Sequence, residues 1–132
     1  MLAFLFDADR RVLLVRWTGT VDESDLVRHR ALHERFVARE GEMPTILDLS
    51  GIERVALPTN RIRNAGQSGG SLVGRSRAVV ALPGSEAFGL ARMFITTRDD
   101  SGHATPQLVR SLDEALRLLG VAEAQFIEWS SE

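Results

Sequence analysis

Three short apolar runs, Val12 to Trp17, Thr45 to Leu49 and Ala78 to Leu82, are separated by stretches that carry helix start and stop signals. That alternation constrains the chain most. Strands interleaved with helices cannot close as tight hairpins, so they line up as a mostly parallel sheet with helices over its faces. Right-handed crossovers then restrict the strand order.

The remaining segments fill in the pattern. Leu2 to Phe6 faces Val12 to Trp17 across the turn Asp7-Ala-Asp-Arg10, which reads as an opening hairpin. Thr20-Val-Asp-Glu23 resembles a capping box, with Asp22 a competing N-cap for a helix from about Asp22 to Arg39, ended by Gly41 and Pro44. Pro58-Thr-Asn60 opens a short helix through about Ala65, and Gly66 to Gly74 is a glycine- and serine-rich loop. Ser85 caps a helix over about Glu86 to Thr97, followed by the loop Arg98 to Gly102. Leu108-Val109 marks a final strand, and Ser111-Leu-Asp-Glu114 is a capping box for a last helix ending at Gly120. The 132 residues fit one domain, with residues 121–132 a C-terminal extension.

Composition removes several chemistries. There is no cysteine, so disulfides, zinc–thiolate sites, iron–sulfur clusters and thiol catalysis are excluded. All 16 basic residues are arginine, which removes a Schiff-base lysine and a Walker lysine. No apolar run approaches the ~20 residues that cross a bilayer, and the opening Met1 to Asp7 is too short for a signal sequence and has no basic flank. A cytoplasmic location is the expectation. The net charge of −2 hides an uneven distribution. Arg54, Arg61, Arg63, Arg75 and Arg77 lie in a stretch from Arg54 to Ser85 with no acidic residue, while Ser111 to Glu132 is acidic. That basic stretch lacks the interleaved aromatics that stack on bases, so nucleic acid is not expected.

Asp48-Leu-Ser-Gly-Ile52 resembles the strand end of the STAS domain, the fold of the SpoIIAA-like anti-sigma-factor antagonists. Arg77-Ala-Val-Val-Ala81, Phe88 to Phe94 and Ser111 to Leu116 are similar to the wider bacterial STAS/SEC14-like family, so the resemblance spans about residues 3 to 120. It implies an α/β sandwich, with a mixed, mostly parallel sheet of about five strands and about four helices. It also implies a fold used for protein contacts, with some relatives thought to hold an apolar ligand. In antagonists of this type a serine after the strand is phosphorylated by a partner kinase. Here Pro58 occupies that position and Thr59 is displaced by one residue.

Other motifs fail on their context. Gly66-Gln-Ser-Gly-Gly70 matches a nucleophile elbow in letters, and Gly69 to Ser76 is one substitution from a P-loop. Both motifs need a strand before and a helix after, the reverse of the order here. His29 and His33, four apart, fall within the apolar arc of the first helix beside Leu26, Phe36 and Val37. Three readings stay open for them: hydrogen-bonded boundary residues, the polar wall of a pocket, or a metal pair lacking its third ligand. Asp99, Asp100 and His103 read as a polar turn, and Phe126 to Trp129 is an apolar tail that must dock on its own domain or on a second copy.

The expectation is a non-catalytic interaction or regulatory module without a cofactor or metal, binding a protein partner or self-associating as a dimer. Its contact surface would use Ser50, Thr59, Asn60, Arg61 and Arg63, where a helix start beside arginines suits an anion. The alternative is a carrier of a small apolar, lipid-like molecule, with a pocket lined by His29, His33, Phe88, Arg92 and Phe94.

Overall fold

A computed structural model describes residues 1–58, 76–100 and 106–130; for residue 94 and residues 96–100 it describes the backbone alone. Strands β1 (Leu2–Asp7) and β2 (Val12–Val21) are followed by helix α1 (Glu23–Glu40) and strand β3 (Thr45–Val55). Then come β4 (Ser76–Val80), α2 (Glu86–Asp100), β5 (Gln107–Val109), α3 (Leu112–Leu118) and β6 (Ile127–Glu128). The six strands form one sheet in the order β5-β4-β3-β2-β1-β6. The pairs β2–β3, β3–β4 and β4–β5 are parallel, and β1 pairs antiparallel with both β2 and β6. This is the mixed α/β sandwich the sequence leads one to expect.

Period-two alternation sorts side chains onto the two faces of the sheet. Phe4, Phe6, Leu13, Val15, Trp17, Leu47, Leu49 and Val79 form one apolar layer with Phe36 of α1 and Ala87, Leu90 and Ala91 of α2. Val12, Leu14, Ile46, Ala78 and Val80 form the other with Ala115 and Leu116 of α3. The central strands are apolar on both faces because both faces are covered.

Local chemistry sets the boundaries. At the start of α1 the Asp22 carboxylate accepts the Asp25 N–H (3.2 Å) and the Asp25 carboxylate accepts the Asp22 N–H (2.9 Å). The capping box is therefore Asp22/Asp25, not the Thr20/Glu23 pair, and the helix runs one residue beyond Arg39 to Glu40. Gly41 ends it at φ 85°, where only glycine is unstrained. At α3, Ser111 Oγ accepts the Glu114 N–H (3.2 Å), whereas the Glu114 carboxylate turns to the Arg110 N–H (3.1 Å).

Four expectations need correction, the first being that β4 covers Ser76 to Val80 and not Ala78 to Leu82, which leaves Leu82 exposed beyond the strand. Strand β3 continues past Leu49 to Val55, paired with the C-terminal half of β2. Helix α2 extends through Arg98, Asp99 and Asp100, which were expected in a loop. Leu108-Val109 is not the last strand, because β6 adds a sixth, and the extension beyond residue 120 is woven into the sheet. The short helix expected over Pro58 to Ala65 and the two glycine-rich matches fall almost wholly outside the described residues. Three helices are present among the described residues.

Two features lock this arrangement. Gly51 lies where β2 and β3 shift register; a Cβ there would stand 2.8 Å from Thr18 Cγ2 and 3.1 Å from the Trp17 carbonyl oxygen. Asp7 ties both ends of the chain together. Its carboxylate accepts the N–H groups of Asp9 (3.0 Å) and Arg10 (3.0 Å), the Arg10 guanidinium (3.0 Å) and the Gln125 N–H (2.9 Å). These bonds, that from Gln125 first, hold its pKa down to about 2. The tail so anchored runs along β1, with the Trp129 N–H on the Phe4 carbonyl (2.8 Å) and the Trp129 ring in the first apolar layer.

Gly51→Ala should destabilise the protein by about 1–3 kcal/mol, since the strands must part to admit a methyl group. Trp129→Ala should cost about 3–5 kcal/mol, the range for emptying a buried indole site. Urea unfolding of each variant checks both values, and an effect below about 0.5 kcal/mol at either site contradicts the packing described.

Candidate functional site

The antiparallel edge of the sheet carries an aromatic layer. Phe4 of β1 lies 6.3 Å from Phe36 of α1 and 6.1 Å from Trp129, ring centroid to ring centroid. Phe36 meets Trp129 edge-on at 5.3 Å and Phe6 edge-on at 5.5 Å. These offset and edge contacts are the favoured ring geometries. The Arg39 guanidinium sits 5.9 Å over the outer face of the Trp129 ring and donates to the Ser130 carbonyl (3.2 Å).

His29 lies inside this layer, 1% exposed, with its ring 5.3 Å from Trp17 and 5.7 Å from Phe4. Neither ring nitrogen finds a hydrogen-bond partner among the described residues, nor do the buried indole nitrogens of Trp17 and Trp129. The reading of the two histidines as hydrogen-bonded boundary residues thus fails for His29, which is core. His33 stacks on it at 6.0 Å and 12° and is half-buried. Burial, reinforced by the charge of a protonated His33, pushes the His29 pKa down to about 3. Burial also lowers that of His33, against the opposing pull of Glu42 and Glu34. Both rings are neutral at neutral pH. Among the described residues no cluster of three or more His, Asp or Glu side chains is placed to hold a metal ion.

Outside the aromatic layer lies a groove of about 440 Å³, open to solvent. Leu2, Ala3 and Phe4 of β1 form its floor, Arg28 and Leu32 of α1 one wall, and Glu128, Trp129 and Ser130 the other. The groove exists because β6 is two residues long and pairs with Leu5 and Phe6 only, leaving the start of β1 beside α1. Sequence reasoning missed it. The one available signal was the tail Phe126 to Trp129, whose docking place no periodicity reveals.

The other candidates scatter. Phe88 is half-buried and packs against the first apolar layer, and Arg92 is exposed further along α2. Phe94 lies on the same helix, its side chain outside the described set. Ser50 is exposed, and its hydroxyl donates to Asp48 Oδ1 (2.6 Å). Asp48 in turn pairs with Arg16 at 3.4 Å across the β2–β3 register. Thr59, Asn60, Arg61, Arg63 and His103 lie outside the described residues. The structure therefore places His29 and His33 together, and separates them from Ser50 and Arg92.

No protein-family model matches this chain, and no curated protein matches it. Among solved structures it is similar to the anti-sigma factor antagonist SpoIIAA in its unphosphorylated form. The two share 14% identity over 89% of this chain and 98% of that one, with a TM-score of 0.49. The strand order and register given above define the architecture independently of that likeness.

The His29 environment sets a pH dependence. Its folded pKa lies below its ordinary value of 6.5, so the unfolded chain binds a proton that the folded one refuses. Stability from this site is complete above pH 6.5 and falls as pH drops from 6.5 toward 3. The limiting slope is about 1.4 kcal/mol per pH unit for one proton. His29→Phe should flatten that fall and leave stability at neutral pH unchanged or higher, because it removes two unpaired buried nitrogens. Chemical denaturation at pH 7.5 and pH 5 checks this, and an unaltered pH slope in the variant contradicts it.

Proposed function

We propose that this protein is a non-catalytic binding module that recognises another polypeptide at its surface. The observation that carries the reading is the groove at the sheet edge, an open site with an apolar floor and charged walls. Its three walls belong to β1, α1 and the C-terminal strand, elements held by main-chain pairing and by the aromatic layer beneath. A site on rigid elements, open along one side and mixed in polarity, suits side chains presented by a partner.

The region between sheet and helices, where an apolar ligand would lie, is occupied by packed rings among the described residues. His29, expected as a pocket wall, fills its place against Trp17 and Phe4. The two buried carboxylates are committed to architecture. Asp7 accepts four hydrogen bonds and Asp48 holds Arg16 and Ser50. Ser50, together with Thr59, Asn60, Arg61 and Arg63 further along the chain, is a second contact region in this reading. A cytoplasmic setting belongs to the same reading. No helix among the described residues is long and apolar enough to cross a membrane.

A photo-cross-linking residue in place of Ala31, exposed on α1, should give defined protein adducts in the native cell. The same residue in place of Asp113, exposed on α3, should not. Native mass spectrometry of the purified protein should show a chain free of small-molecule mass. A reproducible apolar adduct of a few hundred daltons, released on denaturation, would overturn the reading in favour of a carrier.

A further inference from the structure

Several arginines are held by partners away from the groove. Arg10 pairs with Asp7, Arg16 with Asp48 and Arg30 with Glu34, while Arg11 caps the end of α1 through the carbonyls of Glu40 and Glu42. Arg54, Arg77, Arg92, Arg110 and Arg117 are not so held, and neither are Arg28 and Arg35, the two of these on the helix beside the groove. Both are exposed on α1, and neither makes a hydrogen bond or ion pair among the described residues. With Leu32 and Arg39 they fall at spacings of four, three and four, so the four side chains line one flank of the helix. That flank faces the groove: Arg28 and Leu32 line it, and Arg39 reaches over Trp129 to Ser130 on the far side.

We propose that this seam binds an extended acidic segment of a partner protein, with carboxylates on Arg28 and Arg35 and an apolar side chain seated between Leu2, Phe4 and Leu32. The proposal rests on the reading of the domain as a polypeptide-binding module and names the surface and the partner's chemistry. Charge selects the occupant. Arg28 lines the groove opposite the carboxylate of Glu128, and Arg35 and Arg39 extend the positive flank along α1. Guanidinium forks match carboxylates in geometry as well as charge.

Size selects it further. Arg28 and Arg35 are seven residues apart, about 10 Å along the helix. An extended chain covers that span in about three residues, so two residues lie between the two acids and an apolar one of them meets the groove floor. Exposed ion pairs alone give little, and contact with Leu32 and the exposed edges of Leu2 and Phe4 adds a modest apolar contribution. Glu128 on the far wall confines the anionic side chains to the α1 flank, leaving the apolar residue to face the groove.

The probe is a blocked, fluorescein-labelled peptide of sequence Glu-Glu-Leu-Ile-Glu-Glu, titrated with full-length protein and followed by anisotropy. The expected result is saturable binding, weakened at least tenfold by Arg28→Glu with Arg35→Glu. It should be unchanged by Arg54→Glu with Arg77→Glu, two exposed arginines elsewhere, and lost when every glutamate of the peptide becomes glutamine. Circular dichroism melting of both double variants establishes that they fold. No binding to wild type, equal weakening by both double variants, or tighter arginine-dependent binding to phosphatidylserine vesicles or single-stranded DNA overturns the proposal. These results leave the broader reading standing if cross-linked protein adducts persist at Ala31, and that reading falls separately if a small apolar ligand co-purifies.

Discussion

Everything at the antiparallel edge of this sheet depends on how Trp129 closes the aromatic layer beneath α1. The ring touches Phe4 and Phe36 from one side and is covered by Arg39 from the other. Without it, the last turns of α1 would lie over a gap, and β1 would present an open backbone edge to water. The tail is held for this purpose at three points: Gln125 on Asp7, β6 on Leu5 and Phe6, and the Trp129 N–H on Phe4. The groove is a by-product of the same closure, since the tail covers the middle and end of β1 and leaves its start beside Arg28 and Leu32.

This layer also contains an expense that packing has to offset. Four buried nitrogens, on Trp17, Trp129 and His29, lack hydrogen-bond partners among the described residues. Each such group costs about 1–3 kcal/mol when desolvated. Ring–ring contact and the removal of large apolar areas from water oppose that cost. His29 contributes shape more than polarity here, behaving as a flat ring between Trp17 and His33. The consequence is a site that holds its proton affinity low and gives up stability in acid.

The sheet was legible because its signals are local. Val12 to Trp17, Thr45 to Leu49 and Ala78 to Val80 are mostly apolar on both faces, as strands covered on two sides must be, and Asp22, Ser85 and Ser111 sit where helix starts need side-chain acceptors. The second half of β3 was not legible. Ser50, Gly51, Glu53 and Arg54 carry no apolar strand signal, and their strand conformation comes from pairing with Thr18 to Val21, a tertiary effect. β6 was illegible for the same reason: two exposed residues carry no periodicity, and the long-range bonds of Gln125 to Asp7 and of Trp129 to Phe4 bring them to β1. At the candidate site, the helical arc placed His29 and His33 side by side correctly. It could not tell a core ring from a pocket wall, because that depends on what Trp17 and Trp129 occupy. Arg28 went unnoticed because its meaning comes from the absent neighbours of an edge strand far away in sequence.

The most direct test of this account is amide hydrogen exchange at Trp129, read residue by residue by NMR at neutral pH. The account places this N–H in a 2.8 Å bond to the Phe4 carbonyl at the closed edge of the sheet. Its protection should therefore approach that of the β1 amides and fall with theirs when Phe36 is replaced by alanine. Exchange of the Trp129 amide at the rate of an unstructured chain, with β1 itself protected, would contradict the closure on which the aromatic layer and the groove both depend.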